Sequence, residues 1–423
     1  MVNRVVFNRL GRVAVYRILL VTTNYWPEPT GISVYTTDFT ESLLAAGYQV
    51  KVLTSLPHYP WWNIPEEFRH LGEGETLHRG ISVLRVKHFV PSKMNILLRI
   101  RFEASLWWNL RRTSRKLIKG EFDLVIACIP TVAAGIIGQK ISKNLDVPFG
   151  LIVQDLSGAG AKQAGLRGGA VISRIAQFVE VKVLKGADSL VVISPAMREI
   201  VKKSRVPEKR ITQIANYSAK QISIREKSFA RAKFDWPLDQ FVVIHTGNIG
   251  AKQDLENVVR AAEAVSNHPQ IKFYLVGHGN QEFRLKTLCK GKKNISVLPA
   301  VSEEEYSLLL AAADLLLVNE RVSQMEMSLP SKLTSYLFSG RPVIAAVPRD
   351  GATWNLLEGV AELVEAGNPK LLAQAIIDLS QNNEKRIELA DKGLEFARIN
   401  LGADIGRKKY LDWVNGLIES KRG

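Results

Sequence analysis

Short β-branched apolar runs alternate along this chain with longer stretches in which apolar residues return every third or fourth position. The runs Ile18–Thr22, Val50–Thr54, Ser82–Val86, Leu124–Ala127, Phe149–Val153 and Ser189–Ile193 read as strands. A second set follows at Phe241–His245, Ile271–Val276, Ile295–Leu298, Leu315–Val318, Pro342–Ala346 and Ala361–Val364. Helical periodicity falls between them, as in Val34–Ala46, Leu255–Val265, Glu303–Ala312 and Leu371–Leu379. Strand and helix in alternation imply βαβ units and parallel sheets. The near-continuous apolar character of Ser189–Ile193 suits a sheet covered on both faces.

The polar, basic stretch Ser218–Asp239 divides the two sets. Each half opens with a strand that runs into a glycine-bearing polar loop, RILLVTTNYWPEPTG in the first and FVVIHTGNIGAKQ in the second. The predicted architecture is therefore α/β, with two Rossmann-like domains whose parallel sheets face each other across a cleft. Residues 1–220 form the first domain and 221–400 the second. A last helix within 401–423 carries Trp413, Val414 and Leu417 on one face and is free to pack on either domain. Ligands of such sheets bind at the carboxyl ends of the strands, so the loops there are where chemistry is expected.

Composition narrows the class. With 423 residues and 46% hydrophobic content the chain can bury real cores. Cys128 and Cys289 lie far apart, with no metal-ligand spacing and no disulfide framework, which fits a reducing cytoplasm. No apolar run approaches the ~20 residues of a membrane span. Arg12 and Arg17 interrupt the basic first segment, so Met1–Val15 reads as an extension rather than a signal peptide. Lysine and arginine outnumber acids 57 to 41, a formal charge of +16. That surplus favours an anionic partner: nucleic acid, anionic lipid or a phosphorylated substrate.

The most informative segment is Met325–Val347, in which Pro330-Ser331-Lys332 opens a helix that Gly340 and Pro342 close. Ser331 and Lys332 place backbone N–H groups and a cation at a helix start, a ready site for a diphosphate. An ordinary helix–turn–strand unit would look the same. The turn Gly247-Asn248-Ile249-Gly250-Ala251-Lys252 follows a strand directly; its glycines permit close backbone approach and Lys252 supplies a point charge. It lacks the P-loop spacing and alone is equally a plain βα turn. Gly277-His278-Gly279 ends a further strand, with His278 read as an exposed turn residue. In the first half, Thr30-Gly31 lies in a Pro- and aromatic-rich loop after the first strand, and Asp155 follows Phe149–Val153, placed to meet a sugar hydroxyl or to cap a helix. Gly158-Ala159-Gly160 is not a dinucleotide fingerprint.

Asn95–Ile118 is a basic amphipathic stretch. Leu98, Phe102, Leu106, Leu110 and Leu117 share a helical face, and Arg99, Arg101, Arg111, Arg112, Arg115 and Lys116 surround Trp107 and Trp108. It suits an anionic membrane surface and equally a core-facing helix with a solvated basic side. No nucleic-acid-binding motif accompanies it, so nucleic acid is not an expected partner.

These pieces together resemble a family-4 retaining glycosyltransferase of the GT-B fold, most similar to the colanic-acid-type exopolysaccharide enzymes. The resemblance rests on NYWPEPTGISVY, SLPHYPWWN, IVQDL, VISPAM, TGNIGAKQDLENV, VGHGNQ and LPSKLTSYLFSGRPVIA, which occur in the family's order over nearly the whole chain. It implies a nucleotide-sugar donor held by the second domain. Gly247, Asn248, Lys252, Ser331 and Lys332 would meet its diphosphate, and Gly277, Pro299, Ala300 and Ser335 its nucleoside. Thr30 and Gly31 would form the acceptor and phosphate loop. The catalytic candidates it implies are Lys252, Asp155 and Glu326, with the leaving diphosphate taking the acceptor proton and no metal or other cofactor.

The chain departs from the family at its Glu-x7-Glu pair. Met327 and Ser335 occupy those positions, and Glu326 stands one residue from the first. Asn248 replaces a common arginine, which leaves more of the phosphate charge to Lys252. The implied protein is a bacterial hexosyl- or N-acetylhexosaminyltransferase that extends a lipid-diphosphate-linked saccharide for exopolysaccharide, capsule or O-antigen. It would work in the cytoplasm at the inner membrane face, with Arg111, Arg112 and Arg115 toward anionic lipid. A nucleotide-sugar epimerase of the same fold and a non-catalytic binding relative remain the alternatives.

Overall fold

A computed structural model describes residues 15–29, 31–72, 74–91, 96–117, 122–156, 169–217, 225–322 and 331–420. Thr30, Glu326, Met327, Pro330 and residues 157–168, which the sequence singles out, lie outside the described residues. The chain forms two compact units, Met1–Ala215 with Gly406–Gly423, and Asn216–Ile405.

The first unit holds an eight-stranded sheet in the order β3-β4-β2-β1-β5-β6-β7-β8. Its strands are β1 (Arg17–Val21), β2 (Gln49–Ser55), β3 (Gly74–His78), β4 (Ile81–Val86), β5 (Leu124–Ile129), β6 (Phe149–Val153), β7 (Ser189–Val192) and β8 (Ile211–Gln213). All neighbours pair in parallel except β3 with β4. β3 and β8 are additions to the predicted set. GETLH carries little apolar signal and ITQ is too short to show a period, so only pairing at the sheet's edges defines them. Helices α1 (Ile32–Ala45), α2 (Ile96–Leu117), α3 (Val132–Leu145), α4 (Gly169–Lys185) and α5 (Pro195–Lys203) connect these strands.

The second unit holds a six-stranded parallel sheet, β11-β10-β9-β12-β13-β14. It comprises β9 (Phe241–Thr246), β10 (Ile271–Val276), β11 (Ile295–Leu298), β12 (Leu315–Asn319), β13 (Val343–Val347) and β14 (Glu362–Glu365). Taken from its own first strand, that order is 3-2-1-4-5-6, the doubly wound dinucleotide-fold arrangement, whose strand order reverses between β9 and β12. Its helices are α6 (Lys227–Lys233), α7 (Leu255–Ala264), α8 (Glu282–Cys289), α9 (Glu303–Ala311), α10 (Ser331–Phe338), α11 (Ala352–Leu357), α12 (Pro369–Gln381) and α13 (Asn383–Asn400), and α14 (Ala403–Glu419) ends the described chain.

The stretch Ser218–Asp239, read from sequence as a polar boundary, contains structure that belongs to the second unit. Arg231 of α6 is fully buried and reaches Asp314 at 2.5 Å and the Pro237 carbonyl at 2.6 Å. Asp314 also accepts from the Val242 N–H at 2.8 Å and from Lys227 at 2.8 Å. A buried cation needs such full pairing, and the basic composition that suggested a linker is partly this lock. Trp236 stacks on Tyr274 with centroids 4.0 Å apart.

Most of α14 belongs to the first unit. Trp413 donates its Nε1–H to Ser189 at 2.9 Å, and Arg407 forks onto Asp38 at 2.5 and 3.1 Å. Gly150 in β6 makes room for it, since a Cβ there would lie 2.8 Å from the Trp413 ring.

Candidate functional site

In the second unit the sequence signals that come together lie in the loops after β9 and β10 and at the start of α10. β9 ends at Thr246 and turns through Gly247 at φ +103°, a conformation that suits glycine. The Gly247 N–H bonds the Val276 carbonyl at 2.9 Å, and the Ile249 N–H bonds the His278 carbonyl at 2.8 Å. These loops lie backbone against backbone: a Cβ at Gly277 would sit 1.8 Å from the Gly247 carbonyl oxygen, and one at Gly279 would sit 2.2 Å from that of Ile249. The glycines thus perform the close approach read from sequence, but onto each other. Below the loop, Asn319 at the end of β12 donates to the carbonyls of Gln253 (2.8 Å) and Asp254 (3.0 Å) and accepts from buried Asn257 at 2.9 Å.

The structure brings Lys332 to this turn. Its Nζ lies 3.7 Å from where a Gly247 Cβ would be and donates to Nε2 of His245 at 2.9 Å. Burial pulls the ammonium down to about 7, against the attraction of the Glu320 carboxylate. His245 is fully buried, and its Nδ1–H is given to the Leu317 carbonyl at 3.1 Å. Burial first, and Lys332 second, hold its pKa well below the usual imidazole range. Ser331 is the first residue of α10, so the helix start falls beside the turn.

Lys252 and Asn248 are exposed on the loop, the latter within 3.4 Å of Gln253, and the Lys252 carbonyl accepts the Arg321 N–H at 2.9 Å. Pro299 and Ala300 are exposed at the end of β11, the outermost strand on that side. Ser335 bonds Tyr306, whose hydroxyl is 3.3 Å from Thr246 Oγ1, while Tyr336 accepts the Thr246 N–H at 2.7 Å. The serine hydroxyl is thus engaged within the unit. His278 is exposed, paired with Glu282 at 3.1 Å.

The first unit has its own switch point, between β1 and β5, and a cavity of about 310 Å³ opens there. Gly31 and Asp155, from separate sequence signals, both line it, together with His58, Tyr59, Trp62, Arg99, Phe102 and Glu103. Gly31 caps α1 at φ +71°, and a Cβ there would press to 2.9 Å on the Tyr59 ring. Asp155 is exposed and accepts its neighbour Leu156's N–H at 2.8 Å.

Behind the wall, Glu28 accepts from the N–H groups of His58 and Tyr59, each at 2.9 Å, and from Asn24 Nδ2 at 2.8 Å. Burial pushes its carboxyl up to about 7 although those donors favour the charged form. Burial likewise pushes Glu103 up to about 7, opposed by Arg99 and the Ala133 amide, and lowers His58 to about 4.

Sequence reading missed His245, Glu320, Glu28 and Glu103. The signals were present but faint. His245 is the lone ring nitrogen in an otherwise apolar strand that ends at a glycine turn. Glu103 falls beside the buried stripe of α2, one helical turn after Arg99.

On α2, Phe102, Leu106, Leu110 and Leu117 are buried, so that face is a core face. The opposite face exposes Leu97 (75%), Ile100 (43%) and Trp108 (62%) beside Arg101, Arg112 and Arg115, with Arg111 lying over the Trp107 ring at 5.0 Å. Among the described residues no group of three or more His, Cys, Asp or Glu is gathered to hold a metal, and no helix is long and apolar enough to cross a membrane.

Residues 30–217 match the Glycosyl transferase 4-like domain, and residues 226–396 match Glycosyl transferases group 1. The chain is 28% identical over 401 residues to the putative colanic acid biosynthesis glycosyl transferase WcaI of Escherichia coli (strain K12), covering 90% of this chain and 96% of that protein. Among solved structures it is similar to sucrose-phosphate synthase from Thermosynechococcus elongatus, with a TM-score of 0.73 at 17% identity over 96% of this chain and 100% of that one. Anabaena Alr3699/HepE in complex with UDP-glucose is similar at a TM-score of 0.68 and 16% identity, over 95% of this chain and 99% of that one.

Proposed function

Because this chain belongs to the glycosyltransferases that join a 4-like domain to a group 1 domain, we propose that it moves a sugar from a nucleotide-sugar donor to a lipid-linked saccharide in bacterial surface polysaccharide synthesis, with retention at the sugar carbon. The observation that carries the donor half is the gathering of the Gly247 turn, Lys252, Lys332 and the start of α10 at the strand-order reversal of the second sheet. Backbone N–H groups and cations there suit the charge that grows on a departing diphosphate. The leaving diphosphate takes the acceptor proton, and the cations replace the role of a metal. Similarity to a protein named for colanic acid biosynthesis and to a structure solved with UDP-glucose supports the polysaccharide and nucleotide-sugar readings.

The acceptor half rests on the first unit's cavity. Aromatic rings at Tyr59, Trp62 and Phe102 offer flat apolar faces, and Asp155 and Glu103 offer acceptors for hydroxyls, the mixture that orients a sugar. The exposed Arg, Trp and Leu face of α2 suits the headgroup region of an anionic bilayer, where a lipid-linked acceptor resides.

The deciding experiment incubates the protein with a panel of nucleotide sugars and a lipid-diphosphate saccharide. Transfer with retained anomeric configuration supports the proposal. Isomerised donor without transfer indicates an epimerase, and no donor binding indicates a non-catalytic relative. For the membrane face, neutralising Arg111, Arg112 and Arg115 together should release the protein from anionic liposomes; unchanged binding would remove α2 from that role.

A further inference from the structure

His245 has no part in the proposed reaction, yet Lys332 touches it. An amine half-sunk in protein beside a glycine turn needs an acceptor or it folds back toward solvent. At the end of a parallel strand a neutral acceptor can come from an amide, a hydroxyl or an imidazole. A carboxylate would neutralise the amine and repel an incoming anion, whereas an imidazole offers a neutral lone pair.

The tautomer follows from the hydrogen bonds. Nδ1 faces the Leu317 carbonyl at 3.1 Å, which only accepts, and Nε2 faces the Lys332 ammonium at 2.9 Å, which only donates; the tautomer that satisfies both carries its proton on Nδ1, with the Asn248 carbonyl also against the ring. We propose that His245 is the positioning residue of Lys332: it holds the ammonium over the Gly247 turn, where it meets the donor diphosphate. This rests on the diphosphate reading of that turn.

Among the described residues the other titratable groups around the pair are few. Glu320, from the end of β12, attracts the Lys332 ammonium. Tyr306 of α9 and Tyr336 of α10 are held on Thr246, and burial raises both hydroxyls so that they stay neutral. Lys252 stands exposed on the loop. With the amine lowered to about 7, part of the population is uncharged near neutrality. An arriving diphosphate favours the charged form, so binding takes up a proton from solvent, and the imidazole keeps that charge aimed at the ligand.

The test is calorimetric binding of UDP, GDP and ADP near pH 7.5, each in two buffers of different ionisation heat, to the full chain and its variants. The wild type should bind at least one of them with net proton uptake. His245→Leu should weaken that binding roughly tenfold, the scale of one hydrogen bond to a charged group, and change the proton count. His245→Gln, which returns an acceptor near the Nε2 position, should recover most of the affinity. In a Lys332→Met background His245→Leu should add nothing, because two residues acting as a unit are not additive.

If Lys332→Met binds weakly but His245→Leu binds as the wild type does, the inference fails and the diphosphate reading stands. An equal loss from His245→Leu with or without Lys332 makes the histidine merely structural and also overturns it. If no nucleotide binds, or Lys332→Met binds normally, the reading itself fails. His245→Gln keeps these outcomes legible should the leucine variant melt early.

Discussion

The two units place their candidate sites alike and build them oppositely. Each sheet reverses strand order beside its own first strand, β1 against β5 and β9 against β12. In the first unit the loop after β1 is held by side chains: Thr23 bonds Thr131 at 2.7 Å and Glu28 gathers three N–H donors. In the second, the loop after β9 is anchored from below by one side chain, Asn319, and packs backbone on backbone against the loop after β10, with Gly277 and Gly279 where any side chain would collide. A side-chain wall makes a pocket with shape and acceptors, suited to hydroxyls. A backbone wall spends its Gly247 and Ile249 N–H groups on the facing loop and leaves an open turn beside the lysines and the start of α10, suited to an anion. Burial moves the key ionisable groups toward neutrality in both, acids upward at Glu28 and Glu103 and a base downward at Lys332, all to about 7.

The largest effect should come from breaking the backbone wall. Gly277→Ala sets a Cβ 1.8 Å from the Gly247 carbonyl oxygen at a φ of +154°. Neither loop can move without breaking the Gly247–Val276 bond, so overpacking and strain together should cost roughly 4 kcal/mol. Nucleotide binding and the unfolding midpoint should both fall. An alanine variant that binds nucleotide with a wild-type midpoint would show that the two loops are not closely packed.

Next is the acid wall. The Glu103 carboxyl is raised from its ordinary value to about 7. Between about pH 4.5 and 7 the native state therefore holds a proton that the unfolded chain has lost. Stability from this group is full below that window, falls as pH rises through it, and is flat above it, a change on the order of 3 kcal/mol at most. Glu103→Gln should flatten that part of the midpoint-against-pH curve. Parallel curves for variant and wild type would place Glu103 in water.

Much of this was legible in the sequence. Short apolar runs located twelve strands because parallel strands covered on both faces are continuously apolar, as in β5, where every residue is buried. The turn at Gly247 and the helix start at Ser331 were visible as punctuation between strand and helix. Cross-chain relations were not. Nothing in the local pattern tells that Lys332 meets His245, 87 residues away, or that Asn319 anchors the Gly247 loop through Gln253 and Asp254. Glu103 was hidden for a different reason: a glutamate next to an apolar stripe reads as solvated until α3 is packed across it. The edge strand β3 has alternating exposure but almost no hydrophobic content, so pairing with β4 alone marks it.

The finest division is between the two lysines at the backbone wall. Lys252 is exposed on the loop, whereas Lys332 is half-buried behind it. An exposed cation acts through water, so its contribution to an anion is screened by salt, while a buried one is screened much less. Lys252→Ala should lower kcat/KM for the donor about tenfold at low ionic strength, near 1.4 kcal/mol, and leave the acceptor KM unchanged. The deficit should shrink toward nothing near 1 M salt, where the screening length is only ~3 Å. Lys252→Arg should recover most of it, since a point charge at this distance needs no particular fork geometry. A deficit that persists undiminished in high salt would mean that Lys252 is drawn under the diphosphate when donor binds, and the two lysines would then form one desolvated clamp rather than an outer and an inner charge.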